Sequence, residues 1–262
     1  MTAIVIATLV LAIVGLIVGL ALVYIGNKFR VEVDPRETAV REVLPGNNCG
    51  ACGYAGCDAV AAAIVSGEAS PAACPVGGAP VAAKINEIMG TSAEAAARKV
   101  AFVRCNGNCD NTKKRNNYYG IQDCRAAALA GLQTWGCDYG CHGYGSCAEV
   151  CPQNAIRVSE GVAVVDKEAC VGCGLCTKAC PNHLIELVPY EQKTFVRCMN
   201  PDKGKDVKAV CSVGCIGCRL CTKQCEAGAI TVDGSLAHID YSLCTNCGKC
   251  AEKCPQKSII HN

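Results

Sequence analysis

"CVGCGLCTKACP" (residues 170–181) decides the fold. Three cysteines at C-x2-C-x2-C spacing wrap a loop around three irons of a cubane cluster, while the fourth, three residues further on and followed by proline, starts a helix and reaches toward a second cluster. A run of this kind is half of a two-cluster module, so it needs a mate. Structural zinc takes two separated cysteine pairs instead. The pattern recurs without change in "CTNCGKCAEKCP" (Cys244, Cys247, Cys250, Cys254) and, with Glu226 in place of proline, in "CIGCRLCTKQCE" (Cys215, Cys218, Cys221, Cys225).

Because the fourth cysteine serves the other cluster, the runs at 215 and 244 pair with each other. One site takes Cys215, Cys218, Cys221 and Cys254, and the other takes Cys244, Cys247, Cys250 and Cys225. The run at 170 finds its mate in "CDYGCHGYGSCAEVCP" (137–152), where Tyr144 stands at the second cysteine's place and Cys137 is the substitute. The expected sites are Cys137, Cys141, Cys147 and Cys180, and Cys170, Cys173, Cys176 and Cys151. After each fourth cysteine the chain reads "PQNAIRV", "PNHLIEL", "EAGAITV" or "PQKSII", a short turn and then an apolar strand. That repeat marks two tandem ferredoxin-like modules, at 137–190 and 211–262.

Upstream lies a separate group of four, Cys49-x2-Cys52-x4-Cys57-x16-Cys74. Glycines 50, 53 and 56 let the backbone turn tightly there, and "DAVAAAIVSGE" reads as a helix. A [4Fe–4S] cluster is the favoured occupant; zinc fits this unit less badly than the others. Further upstream, the uncharged run Ala3–Ile25 is long enough to cross roughly 30 Å of hydrocarbon as a helix. It lacks the basic start and the small-residue cleavage site of a signal peptide. Lys28, Arg30 and Arg36 follow it directly, so the positive-inside rule leaves the cysteine-rich domains on the cytoplasmic side of a single-pass anchor, where disulfides are not expected. The expected fold is therefore α+β. A single N-terminal transmembrane helix (1–27) leads into a small [4Fe–4S] domain with its linker (28–90), then a connecting segment with extra cysteines (91–136), including a helix over 91–100 opened by a Thr91/Glu94 capping box. The two ferredoxin-like two-cluster modules follow, at 137–190 and, with a preceding loop, at 191–262.

Composition excludes several functions. A net charge of +2 rules out a nucleic-acid-coating surface. No G-x-x-x-x-G-K-[ST] loop and no strand-to-helix G-x-G-x-x-G is present, so phosphate and dinucleotide sites are unsupported. The basic groups Lys113-Lys114-Arg115 and Lys203, Lys205, Lys208 read as solvated loops. The four histidines (142, 183, 238, 261) lack a metal spacing and read as exposed structural residues. No catalytic residue is expected, since thiolate-held cubanes conduct electrons without a protein acid, base or nucleophile.

An apolar span, then "GNNCGACGYAGCDAVAAAIVSGE…CPVGG", then ferredoxin modules, resembles the B subunit family of Rnf electron-transport complexes along essentially the whole chain. The resemblance implies a cell (inner) membrane protein that accepts electrons from soluble ferredoxin. It would relay them, with other membrane and peripheral subunits, in a ferredoxin:NAD+ oxidoreductase that translocates Na+ or H+. This chain would be the relay of that enzyme, with no substrate-converting site of its own. The alternative is a polyferredoxin subunit of another membrane complex, such as a hydrogenase or quinone reductase.

Of 25 cysteines, five fall outside the five sites above: Cys105, Cys109, Cys124, Cys198 and Cys211. "AFVRC" (101–105) recurs as "TFVRC" (194–198), so the two segments look like duplicates, and adjacency of their strands would bring Cys105 and Cys198 together. Five free thiols would be reactive liabilities. The favoured reading is a sixth [4Fe–4S] cluster on Cys105, Cys109, Cys124 and Cys198, with Cys211 spare; Cys211 in place of Cys198, or no cluster at all, are the alternatives.

Overall fold

The structure, a computed structural model, describes residues 2–28, 34–92, 97–131 and 133–262. Helix α1 (Thr2–Lys28) comes first, and each of its described large apolar side chains, from Ile6 to Ile25, is half or more exposed. Its longest unbroken run of described side chains is 12–25; on the described residues alone, no helix is long and apolar enough to cross a membrane.

A small helical domain follows. Asp34 accepts a hydrogen bond from the Arg36 amide and Pro35 occupies the first helical turn, which together start α2 (Pro35–Val43). It packs with α3 (Cys57–Val65) and α4 (Gly78–Met89), which is stopped by left-handed Gly90. Their apolar faces bury Val40, Val60, Ala61, Ile64 and Ile85 almost completely, each large aliphatic side chain contributing about 1.5–3 kcal/mol.

The first ferredoxin-like module runs through β1 (Lys99–Val103), α5 (Cys124–Leu129), α6 (Ser146–Glu149), β2 (Ile156–Ser159), β3 (Val162–Val165), α7 (Leu175–Ala179) and β4 (Ile185–Pro189). The second repeats most of this order with β5 (Thr194–Val196), α8 (Gly204–Val210), α9 (Leu220–Gln224), β6 (Ile230–Asp233), β7 (Leu236–Ile239), α10 (Lys249–Glu252) and β8 (Ile259–His261). All pairing is antiparallel: β2 with β3 and β6 with β7 as hairpins, β1 with β4, and β5 with β8. Glu160 and Gly161, both at positive φ, make the β2–β3 turn of the kind that matches strand twist. The strands after each fourth cysteine fall where the repeat predicts them.

The segment before residue 137 does more than connect, because β1 closes the first module by pairing Val103 with Ile185 and Lys99 with Pro189. The helix expected over 91–100 is not formed where it is described. Residues 93–96 lie outside the described set, Thr91 Oγ1 donates to Asn86 Oδ1, and Lys99 and Val100 already belong to β1. Pairing with β4 and burial of Val100, Ala101 and Val103 set Lys99 and Val100 in a strand. The duplicates β1 and β5 lie adjacent without hydrogen-bonding to each other. Phe102 stacks on Phe195 with ring centroids 4.2 Å apart, and Tyr241 meets Phe195 edge-on. Tyr241 also donates to Glu186, and Arg104 contacts both Glu186 and His238, so ring and polar contacts join the modules.

Candidate iron–sulfur sites

None of the 25 cysteines is in a disulfide. In the helical domain Cys57 opens α3, with its amide donating to Asn48 Oδ1 at 2.8 Å. Asn48, Gly50 and Gly53, all at positive φ, fold the loop that carries Cys49 and Cys52. Cys74 returns beside Cys52 and Cys57, and burial raises its thiol pKa while the Gly77 and Val76 amides oppose that shift.

In the first module one cavity is lined by Cys151, Cys170, Cys173 and Cys176. In the second, another is lined by Cys215, Cys218, Cys221 and Cys254. Cys250 neighbours Cys244 and Cys225. Each grouping joins a fourth cysteine to the other run, as crossed ligation requires. The loops bend alike: Gly143, Gly172, Gly217 and Asn246 stand at positive φ in corresponding places, and left-handed Gly145, Gly174, Arg219 and Gly248 precede the short helices. Backbone amides reach the sulfurs, Ala101 to Cys170 and Ala155 to Cys151 at 3.3 Å, and Leu184 to Cys180 at 3.4 Å. Gln192 Nε2 donates to Cys244 Sγ at 3.3 Å.

The remaining cysteines are arranged differently from the sequence expectation. Cys124 lines one cavity with Cys141, Cys147 and Cys180, where the sequence put Cys137. It is held there because Asp123 caps α5, accepting from the Arg125 and Ala126 amides, while Ser146 accepts from the Cys124 amide and donates to Asp123. Cys137 instead lines a different cavity with Cys105, Cys198 and Cys211. Cys109 is exposed and lines neither cavity. The expected grouping of Cys105, Cys109, Cys124 and Cys198 is thus not brought together. His142 also departs from expectation: it is 7 % exposed and lines the Cys124 cavity.

Iron–sulfur clusters fit these surroundings. The donor sets are all-thiol, and the Nε of Arg197, buried with no partner among the described residues, belongs to a side chain lining the Cys105 cavity, while buried His142 lines the Cys124 cavity. A cluster sulfur is the acceptor that the Arg197 Nε–H lacks. Among the described residues no group of three or more His, Cys, Asp or Glu side chains is arranged to hold a single metal ion; the thiols ring open cavities instead. Burial pushes the thiols of Cys105, Cys147, Cys176 and Cys198 up to about 12. They are protonated at neutral pH until iron binding displaces the protons.

The fold and its cysteine cages define a multi-cluster ferredoxin-type electron carrier. A family model described as a putative Fe–S cluster matches residues 44–76, and a 4Fe–4S dicluster domain matches twice, at 136–184 and 214–258. The chain is 47% identical to the B subunit of the Na(+)-translocating ferredoxin:NAD(+) oxidoreductase complex of Acetobacterium woodii, over 95% of this chain and 75% of that one. It is 43% identical to the B subunit of the ion-translocating oxidoreductase complex of Methanosarcina acetivorans, over 95% of each. It is likewise 43% identical to the B subunit of the proton-translocating ferredoxin:NAD(+) oxidoreductase complex of Clostridium ljungdahlii, over 99% of this chain and 93% of the relative. The chain belongs to the B subunit family of the Rnf, or ion-translocating ferredoxin:NAD+ oxidoreductase, complexes.

Proposed function

We propose that this chain is the membrane-anchored electron-transfer subunit of an ion-translocating ferredoxin:NAD+ oxidoreductase, taking electrons from reduced ferredoxin and passing them to the other subunits of the complex. Five [4Fe–4S] sites carry this reading: Cys49/Cys52/Cys57/Cys74, Cys151/Cys170/Cys173/Cys176, Cys124/Cys141/Cys147/Cys180, Cys215/Cys218/Cys221/Cys254 and Cys225/Cys244/Cys247/Cys250. When bound, such clusters supply one-electron redox chemistry.

The observation that supports a relay is the adjacency of one cage to the next. Cys173 lies close enough to Cys49 for their charges to interact, and Cys147 to Cys176. The protein's part is to fix these neighbours, to exclude water with apolar side chains such as Val188 and Leu184, and to aim amide N–H groups at the sulfurs. Helix α1, as the anchor, would place the cages on the cytoplasmic side, with Lys28 and Arg36 at its cytoplasmic flank.

The test is anaerobic purification of the complex with and without this chain. Ferredoxin-dependent NAD+ reduction should disappear without it, and the isolated chain should be brown and EPR-active when reduced. A colourless, zinc-loaded chain, or a complex that still couples ferredoxin to NAD+ without it, overturns the reading.

A further inference from the structure

We infer that Cys105, Cys137, Cys198 and Cys211 hold a sixth [4Fe–4S] cluster at the boundary of the two modules, and that electrons crossing between the modules pass through it; this rests on the relay function above. Three of the four, Cys105, Cys198 and Cys211, lie outside both dicluster matches.

The four thiols line one cavity, with Cys141 also on its wall. A Cβ on Gly107 would stand 3.5 Å from Cys211 Sγ and 3.7 Å from Cys105 Sγ, which puts those sulfurs on one side of the same backbone turn. Charge on Cys211 bears on Cys137, and charge on Cys137 bears on both Cys105 and Cys198.

The arrangement is two-fold. Cys105 and Cys198 end the duplicated V-R-C segments, and Cys137 and Cys211 each begin a C-x3-C pair. The sulfur of Cys105 accepts amide hydrogen bonds from Cys141 and Gly107; that of Cys198 accepts them from Cys215 and Asn200. Cys141 and Cys215 are the second cysteines of the two C-x3-C pairs, and Gly107 and Asn200 each lie two residues past their sulfur. Arg104 and Arg197, the duplicated arginines, both line the cavity, and the Nε of Arg197 is buried without a partner. Each module therefore gives two thiols and two amides to a shared site, and Arg197 adds an unpaired Nε from the second. Asn200 Nδ2 donates to Cys137 Sγ at 3.4 Å, so a single second-module residue touches ligands from both halves.

The same contacts fix its neighbours. Cys141, whose amide touches Cys105, belongs to the Cys124 cage; Cys215, whose amide touches Cys198, belongs to the cage of Cys218, Cys221 and Cys254. Each crossing moves one electron: the donor cage is oxidised as the shared site is reduced, then the shared site is reoxidised as the next cage is reduced. No bond to the protein forms or breaks.

The experiment is iron and zinc quantitation with reduced-state EPR on the anaerobically reconstituted full chain. Six cubanes give about 24 irons per chain, and Cys211→Ser or Cys137→Ser should each lose about four while Cys109→Ser loses none. A wild type that saturates at about 20 irons, with or without one zinc, overturns the inference, as does iron loss on Cys109→Ser without loss on Cys211→Ser. Should the serine variants fail to fold, Asn200→Leu removes the donor to Cys137, and with it the acceptor of the Asp202 amide, but no thiol; it should keep every iron and lower the midpoint potential of one cluster, and an unchanged set of potentials overturns the assignment. In the assembled complex, Cys211→Ser should cut ferredoxin-driven NAD+ reduction at least tenfold while dithionite still reduces the other five clusters. Undiminished coupling in that variant refutes the crossing alone, whereas a wild-type complex that never couples refutes the relay itself.

Discussion

Replacing Gly217 by alanine should weaken the second module by about 2–4 kcal/mol. Gly217 lies between Cys215 and Cys218 at φ +65, where an L side chain costs about 1–2 kcal/mol. A Cβ there would also stand 2.7 Å from Ser235 Cα and 3.0 Å from its carbonyl oxygen, in the turn between β6 and β7. Neither atom is the end of a flexible side chain, so loop or hairpin must shift, at about 1–3 kcal/mol. Reduced freedom of the unfolded chain offsets about 0.4–1 kcal/mol. Gly228 is the control: its φ is +64 but no atom lies within 4 Å of an added Cβ, so Gly228→Ala should cost about 1 kcal/mol. Because cluster loss is irreversible, the assay is the rate at which visible iron–sulfur absorbance bleaches in denaturant. If the whole difference falls on unfolding, Gly217→Ala bleaches about 30- to 700-fold faster than wild type. Gly217→Asn should remain severe, since asparagine accepts the φ, as Asn246 does at the matching place, but keeps the overlap. Equal bleaching rates for Gly217→Ala and Gly228→Ala would refute the reasoning.

Crossed ligation predicts that Cys180→Ala disturbs the cluster of Cys124, Cys141 and Cys147 and that Cys151→Ala disturbs that of Cys170, Cys173 and Cys176; site-resolved Mössbauer spectra showing the reverse would contradict it. Asp123→Ala removes the α5 cap and should cost about 1 kcal/mol, with loosened iron at the Cys124 cage read by chelator-release kinetics. The Ser146 hydroxyl first, and then the Ala126 amide, hold the Asp123 carboxyl below its usual range. Its stabilisation is therefore present above about pH 4 and fades as pH falls through the depressed value, which a pH series on wild type and variant checks. Charge reversal at exposed Lys203, Lys205 and Lys208 should slow reduction by an acidic ferredoxin and flatten its salt dependence in stopped-flow; unchanged kinetics would leave those lysines as solvated surface.

The runs at 170, 215 and 244 were legible because their chemistry is local: spacing alone sets the loop, and the fourth cysteine's helix follows in sequence. The hairpins and closing strands were legible for the same reason, from apolar segments at fixed distance behind each run. Cys124 was not, because its position depends on a helix cap and on Ser146, contacts made across 22 residues that no spacing encodes. The pairing of Cys137 with Cys211 was written in the duplicated C-x3-C pairs; reading Cys137 as a substitute ligand and Cys211 as spare gave equivalent residues different fates. Burial of His142 had no signal beyond its place between Cys141 and Gly143, and β1 was hidden because its partner β4 lies about 85 residues further on, a distance no local pattern encodes.

The stacked Phe102 and Phe195 use two of the chain's three phenylalanines at a single boundary. With so few large rings available, their concentration there is a mechanical commitment, worth about 0.5–1.5 kcal/mol beyond the area it buries. A hinge opened between β1 and β5 would unstack the rings and pull Cys105 and Cys137 away from Cys198 and Cys211. A swing at this boundary would therefore open the gap that an electron crossing there has to bridge.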